Sequence, residues 1–339
     1  MKKTRQNAPR ASQQTRKSPQ GQTASDNASR SKTSLYEQIT EKLLAQMEKG
    51  VIPWKRPWKI LDNGMAEMPT NYVTKKTYRG INLMLLSCEG YSRPYYMTFR
   101  QAQSLGGMVR KGEKGHLVLF YKTLTQEQEG GKDKTLFWER PSYVFNIDQI
   151  DGIEFRQPDL QIGQPDETLL VERCEQVYQD YPNPPKIEHK DLSQAFYRKS
   201  TDTVNMPPIQ AFTTGAGYYS VLFHELSHST GHPQRLNREE LGAGPMGSAQ
   251  YSREELTAEL GAAFLNAICG IGQNQQENLF QGQAAYLSGY MNALRNDVTL
   301  FYKASQQAQK AVDHILNRSF EKADQQTQAE PVGEEQETV

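Results

Sequence analysis

Apolar side chains recur at every third or fourth position in several stretches of the chain, the spacing that places them on one face of an α-helix. The clearest stretch is 35–50, where apolar residues stand at every fourth position from Leu35 to Met47 and Gly50 can end the helix. Similar spacing predicts helices over 166–181, over 252–265, and over 281–316 with a break near Asn296.

Short runs of β-branched and aromatic residues predict strands between these helices. In the first half of the chain they cover 95–99, 116–121 and 143–147. Thr98, or a residue just after it, can cap a helix through 101–105. In the second half the predicted strands cover 187–189, 195–197 and 203–206. The mixture of helices and strands in both halves predicts an α+β fold.

Composition divides the chain into five segments. Residues 1–33 are rich in Gln, Ser, Thr, Lys and Arg and almost lack large apolar side chains, which predicts a disordered basic arm. We predict an α+β domain over 34–150, a linker over 151–165, where Gln, Pro and Gly are frequent, and a mainly helical domain over 166–320. Residues 321–339 are predicted to form a disordered acidic tail.

The most specific motif is the H-E-x-x-H sequence formed by His224, Glu225 and His228. It lies in an apolar run, 218–228, that contains no Pro or Gly and is therefore predicted to be helical. One helical turn separates the two histidines, so both imidazoles can bind one metal ion at about 2.0–2.1 Å. Glu225 stands beside the pair and is the candidate catalytic base acting on a water molecule.

A third ligand is expected from the predicted helix 252–265, because two histidines leave the coordination incomplete. A capping-box pattern starts at Ser252, and Glu255 and Glu259 share a face otherwise made of alanines. We predict Glu255 as the metal ligand and Glu259 as the carboxylate that holds a ligand histidine. The reverse assignment stays open. His232 is a weaker candidate, because a three-histidine site has a longer, glycine-containing spacer.

The formal net charge of the 339-residue chain is zero, but its two halves differ. Residues 1–125 contain 22 Lys and Arg against 8 Asp and Glu, a net charge of +14, whereas residues 126–339 contain 17 against 31. Basic charge concentrated in one half is typical of a protein that binds a polyanion. The acidic second half is not expected to contact nucleic acid.

Basic and aromatic residues alternate at three places in the first half, and a glycine-rich basic turn follows at 106–115. Cations neutralise phosphates, and aromatic rings stack on unpaired bases at about 1–3 kcal/mol per base. This combination favours single-stranded over duplex DNA, and no helix-turn-helix or zinc-finger pattern is evident. The alternative interpretation places Trp54 and Trp58 in the core. The predicted DNA-binding residues are Trp54, Lys55, Arg56, Trp58, Tyr72, Lys75, Lys76, Tyr78, Arg79, Arg110, Lys111 and Lys114.

The cysteines and the hydropathy of the chain indicate its environment. Cys88, Cys174 and Cys269 match no metal or redox spacing, so we expect reduced thiols. No apolar run approaches the roughly 20 residues that span a bilayer, and the basic N-terminus is not followed by the apolar segment of a secretory signal. We therefore expect a cytoplasmic protein without a membrane partner.

With both halves considered, the chain resembles the ArdC-type antirestriction proteins of conjugative plasmids. The similar segments of the first half are 53–58, 71–82 and 98–115. Those of the second half lie between Tyr197 and Arg238, and two more follow at 254–259 and 284–286. The resemblance implies an N-terminal single-stranded-DNA-binding domain and a zincin-like metallopeptidase domain, with the strand 203–206 bordering its cleft. The expected cofactor is one divalent metal ion, zinc or alternatively manganese.

The resemblance also implies protection of incoming plasmid DNA from host restriction. Two function classes stay open. In the first, the protein coats single-stranded DNA and its metal domain is structural. In the second, the chain is a DNA-recruited metallopeptidase that cleaves a host restriction or defence protein, which would give Glu225 a use as a base. A nuclease is disfavoured, because the acidic second half would repel phosphate.

Overall fold

The fold is that of a computed structural model, which describes residues 34–55, 59–61, 66–126, 134–155, 166–245, 248–272 and 283–318. The predicted arm 1–33 and tail 321–339 lie outside the described residues. The same holds for Arg56, Trp58 and most of the predicted linker.

Helices make up most of the second half of the described chain and parts of the first. The α-helices are α1 Leu35–Met47, α2 Gly80–Ser87, α3 Phe99–Ser104, α4 Glu167–Gln179, α5 Gly215–Ser229, α6 Ala249–Cys269, α7 Gln283–Asn296 and α8 Leu300–Ile315. The end of α1 before Gly50 and the break between α7 and α8 confirm the predictions for these helices. Gly50 has a φ of +76°, a conformation that favours glycine after a helix.

The strands form three small sheets. They are β1 Thr70–Asn71, β2 Tyr95–Met97, β3 Met108–Val109, β4 His116–Gln126, β5 Lys134–Asn146, β6 Ile150–Asp151, β7 Lys186–Glu188, β8 Phe196–Arg198 and β9 Thr203–Asn205. The sheet orders are β1-β2-β5-β4, β3-β6 and β7-β9-β8. All six predicted strands are therefore present, and the mixed α+β class is confirmed.

Local capping sequences fix two helix starts. Thr98 caps α3 with a full capping box, in which its side chain accepts from the Gln101 N–H and the Gln101 side chain accepts from the Thr98 N–H. For α6 the predicted cap was wrong. The cap is Ser248, four residues earlier, whose side chain accepts from the Tyr251 N–H at 3.2 Å, so α6 begins at Ala249 and Ser252 lies inside the first turns.

The two halves share one hydrophobic core. Buried residues of α1 and α2, such as Leu43 and Met84, belong to the same cluster as Phe223 of α5 and Phe301 of α8. Polar contacts join the halves as well: Thr40 Oγ1 donates to the Val298 carbonyl at 2.9 Å. Removing either half would expose this shared apolar surface to water.

Small side chains let α5 and α6 approach closely, which positions the candidate site. A Cβ atom placed on Gly261 of α6 would lie 2.4 Å from Ser227 Oγ and 3.0 Å from Ser227 Cβ on α5. The buried Ala258 and Ala262 flank this contact on α6. Gly261 thus lies at the point of tightest contact between the two helices, where a larger residue would not fit.

Candidate functional site

Three potential metal-binding side chains meet between α5 and α6. The Nε2 atoms of His224 and His228 lie 3.1 Å apart, Glu255 Oε2 lies 3.7 Å from His224 Nε2, and Glu255 Oε1 lies 3.7 Å from His228 Nε2. Within the described chain, these three residues form the group whose donor atoms converge within 4.8 Å. Both histidines face α6 because one turn of α5 separates them.

The separations fit a divalent cation. Ligands held tetrahedrally at about 2.0–2.1 Å from an ion lie about 3.4 Å from one another, between the observed 3.1 and 3.7 Å. Two imidazole nitrogens and a carboxylate are donors that zinc and other divalent transition metals accept. Three protein ligands are typical of catalytic rather than structural zinc sites.

Glu254 holds the second nitrogen of His228. Glu254 Oε1 lies 3.0 Å from His228 Nδ1, and the Glu254 carboxylate also accepts from Arg238 at 2.6 and 2.9 Å. We predicted this role for Glu259, whereas the structure places the Glu254 carboxylate on His228. Glu259 lies one helical turn beyond Glu255, about 6 Å further along α6, whereas Glu254 is adjacent to Glu255 and level with His228.

The contact between Glu254 and His228 is a buried ion pair in the metal-free protein. Burial alone would lower the pKa of His228, but the hydrogen bond and charge of Glu254 outweigh it and raise that pKa to about 9. Burial likewise favours the protonated form of Glu254, yet the bonds from His228 and Arg238 hold its pKa at about 2. Burial and the charge of His228 lower the pKa of His224 well below its ordinary value. A cation held by His228 would therefore have to displace a proton from this residue.

Glu225 has the environment of a general base. Its side chain is buried and accepts a hydrogen bond from the backbone N–H of Tyr197 in β8. Burial, opposed by the charge of His228 and reinforced by Glu255, raises the pKa of Glu225 to about 7. A carboxyl group with a pKa near neutrality can both accept and return a proton at physiological pH.

The strand beside Glu225 is β8, not the predicted strand 203–206. That segment, β9, is the central strand of its sheet and is paired with β7 on one side and β8 on the other. A central strand has no free edge for a substrate chain, whereas β8 lies at an edge. The expectation that 203–206 borders the cleft as a pairing strand was therefore wrong.

Glu259 belongs to a second buried cluster, next to the candidate metal site. Its carboxylate is hydrogen-bonded to Tyr286, and the Tyr286 hydroxyl also accepts from Trp54 Nε1 at 3.3 Å. Lys55 Nζ lies 4.7 Å from the centroid of the Tyr286 ring. Burial raises the pKa of Glu259, and the charge of Lys55 opposes this effect. Trp54 and Lys55 of the basic first half therefore lie close to α6, the helix that supplies the candidate ligand Glu255.

Comparison with known proteins identifies the family. One family model, the N-terminal domain of anti-restriction factor ArdC, matches residues 33–145, and another, a zincin-like metallopeptidase, matches residues 177–307. The metal-free crystal structure of antirestriction ArdC protein from plasmid R388 is 33% identical, with a TM-score of 0.63 over 84% of this chain and 99% of that one. The chain belongs to the ArdC family of antirestriction proteins.

Other relatives of this ArdC-family chain extend the comparison. The Mn(II)-bound structure of the R388 protein is 34% identical, with a TM-score of 0.64 over 84% of this chain and 97% of that one. Uncharacterized protein y4eC of Sinorhizobium fredii is 34% identical over 85% of this chain and 93% of its own length. DNA primase TraC of Escherichia coli is 35% identical over 87% of this chain, but the chain spans only 28% of the primase.

The predicted DNA-binding residues of this ArdC-family protein fall into two groups. Trp54 and Tyr78 are buried, at 3% and 6% exposed, so neither ring is open to a base. Tyr72 is half-buried, and Lys75 Nζ covers its ring at 4.0 Å from the centroid. Lys55 and Lys76 are also half-buried.

The exposed group is cationic. Arg79 is partly exposed and forms an ion pair with Asp313 of α8. Arg110 forms ion pairs with Glu113 at 2.8 Å and with Asp151 at 3.5 Å. Lys111 and Lys114 are exposed in the basic turn. Among the described residues of the predicted DNA-binding set, several cations are exposed, but no aromatic ring is fully exposed.

No helix among the described residues is long and apolar enough to cross a membrane. Cys88, Cys174 and Cys269 are buried, and none of the three forms a disulfide bond.

Proposed function

We propose that this ArdC-family protein binds single-stranded DNA and thereby protects incoming DNA from host restriction in the cytoplasm. The main support is the coincidence of two features in one segment. Residues 33–125, most of the segment that matches the ArdC N-terminal domain, contain 14 Lys and Arg against 7 Asp and Glu, which is half of the net charge of +14 of residues 1–125. Phosphate neutralisation with counterion release would provide most of the affinity, so binding should weaken steeply with salt.

We further propose that His224, His228 and Glu255 bind one divalent cation, zinc or manganese, with Glu254 fixing His228. The fit of the donor separations supports this assignment, as does the Mn(II)-bound state of the R388 relative. When bound, such a cation would supply Lewis-acid activation of a water molecule. Glu225 is then the residue that holds and returns a proton, and the Tyr197 N–H orients its carboxylate.

A second function, peptide cleavage, is favoured by one observation. A structural metal site has no need of a buried carboxyl group with a pKa near 7 beside its ligands, yet Glu225 has this character. In that case the edge strand β8 would be the one to pair with an extended peptide. The substrate would be a host restriction or defence protein brought close by DNA binding.

A titration of the full chain with labelled DNA tests the first proposal. We expect binding of a single-stranded oligonucleotide that weakens with added salt, and weaker binding of a duplex of equal length. Equal affinity for duplex and single-stranded DNA would refute the proposed preference for single strands. The full chain is the appropriate sample, because its two halves share one core.

Metal analysis and a cleavage assay test the second proposal. Glu225→Gln should retain the metal while removing any hydrolysis, because Glu225 is not a ligand in this assignment. His224→Ala should lose the metal. Cleavage of a restriction subunit by the unaltered chain, lost in Glu225→Gln, would establish the peptidase; no cleavage with or without single-stranded DNA would leave DNA coating as the function.

A further inference from the structure

An exposed aromatic row lies in the first half, apart from the rings predicted to stack on DNA. Phe99 at the start of α3 is 45% exposed, and Tyr143 on β5 is 54% exposed. Phe145 links them: its ring centroid lies 6.3 Å from that of Phe99, and as residue i+2 on β5 it shares a face with Tyr143. We call Phe99, Phe145 and Tyr143 the aromatic row.

Gly115 brings the basic turn onto this row. A Cβ atom placed on Gly115 would lie 2.9 Å from Tyr143 Cβ and 3.2 Å from Phe145 Cζ, so both side chains border its backbone. Gly115 directly follows Lys114 and lies four residues after Lys111, and both lysines are exposed. The basic turn therefore brings Lys111 and Lys114 close in sequence to the backbone that borders the aromatic row.

Charge along the segment identifies the kind of partner that fits. Residues 93–115 contain five Lys and Arg against one acidic residue, Glu113. That carboxylate is already hydrogen-bonded to Arg110 and to Gln149. Arg100, next to Phe99, is exposed. Open rings flanked by cations suit a chain of unpaired bases joined by phosphates.

We propose that the aromatic row is the surface on which single-stranded DNA bases stack, with Arg100, Lys111 and Lys114 contacting the phosphates. This proposal rests on the proposed DNA-binding function and assigns it to a surface. It also replaces Trp54 and Tyr78 as stacking residues, since burial closes both rings to a base. Met108, which is 72% exposed within the basic turn, adds apolar surface in the same segment.

The test compares full-length variants in fluorescence anisotropy with a labelled single-stranded oligodeoxythymidine. Phe99→Ala/Tyr143→Ala should weaken binding about tenfold or more, since each stacked base contributes about 1–3 kcal/mol. Leu169→Ala, a similarly exposed apolar residue on α4, is the matched control and should bind normally. Tyr143→Trp should keep or increase the affinity, which guards against a folding defect in the alanine variant.

An abasic oligonucleotide of the same length separates stacking from charge. It keeps the phosphates but lacks bases, so the unaltered chain and Phe99→Ala/Tyr143→Ala should bind it equally. Lys111→Gln/Lys114→Gln should instead weaken binding of both oligonucleotides and reduce the salt dependence.

The remaining outcomes overturn the proposal in distinguishable ways. Normal oligodeoxythymidine binding by Phe99→Ala/Tyr143→Ala would remove the aromatic row as the stacking surface and leave the proposed DNA binding intact. Normal DNA binding combined with loss of protection against restriction would make the row a protein-docking surface. Failure of the unaltered chain to bind the oligonucleotide would refute the DNA-binding function itself.

Discussion

The contact between Glu254 and His228 gives the sharpest prediction of stability and metal affinity. In Glu254→Gln, the shape of the side chain is kept and its charge is removed. Glu254 is 4% exposed and Arg238 is 5% exposed, so the variant leaves two cations, Arg238 and protonated His228, without their buried counterion. Breaking a buried ion pair typically costs about 3–5 kcal/mol.

The lowered pKa of Glu254 gives a second way to calculate the loss of folding free energy. A fall from its ordinary value of 4.5 to about 2 corresponds to about 3 kcal/mol of folding free energy above pH 5. We therefore expect Glu254→Gln to lower the free energy of unfolding by about 3 kcal/mol in the metal-free protein. Loss of the group that fixes a ligand histidine should also weaken metal binding about 10- to 100-fold.

Urea denaturation with a chelator at pH 6 measures the first effect, and calorimetric titration with Mn²⁺ or Zn²⁺ measures the second. Glu259→Gln is the matched control, because Glu259 is also buried on the same helix and burial raises the pKa of its carboxyl group, whereas the pKa of Glu254 is lowered. It should change stability by less than about 1 kcal/mol. Equal losses in both variants, or an unchanged metal affinity in Glu254→Gln, would refute the assignment of Glu254.

Further predictions address packing, pH and the base. Trp54→Ala should cost about 3–5 kcal/mol in urea denaturation, because its ring is buried against Tyr290 and Phe301; unchanged stability with lower DNA affinity would instead favour a stacking role. Gly261→Ala should destabilise by about 1–3 kcal/mol, since the clash with Ser227 outweighs the gain in helix propensity; a raised melting temperature would contradict this. Metal affinity should rise about tenfold per pH unit from pH 7 up to about 9, because each bound ion displaces the His228 proton; proton release in calorimetry checks it. Without metal, the Glu254–His228 pair should stabilise fully between about pH 4.5 and 6.5, less as the pH rises through 9 or falls towards 2; a flat stability profile would exclude it.

The metal motif could be predicted from sequence because its geometry is local. Two histidines four apart on a helix must share a face, so His224 and His228 needed no tertiary information. Glu255 required only the assumption that a second helix approaches the first. Glu254 was missed, because its role depends on the rotation of α6 and on the buried Arg238, neither of which has a sequence periodicity.

The exposure of the aromatic residues, by contrast, could not be predicted from the sequence. Interleaved basic and aromatic residues predicted a DNA-binding half, but the pattern could not tell which rings are open. Trp54 is buried by α7 and α8, which lie more than 200 residues away in the chain. Tyr143 stands in an apolar run that predicted only a strand, and it is exposed because β5 turns that face outward. Burial that arises from distant elements has no local signature.

The shared core also could not be predicted from composition. The charge difference between the halves and the Gln- and Pro-rich stretch after residue 150 suggested separate domains. Leu43, Met84 and Phe301 nevertheless belong to one buried cluster. Their apolar character was visible in the sequence, but the partners that cover them were not.

The most direct test of the account is the transfer of unmodified DNA into a restricting recipient that contains the Glu225→Gln protein. DNA affinity is measured on the same purified variant, with the unaltered chain as the reference. If protection results from coating single-stranded DNA, Glu225→Gln should protect as well as the unaltered chain and bind DNA with equal affinity. Loss of protection with unchanged DNA affinity would contradict the account and make hydrolysis at the metal site the protective activity.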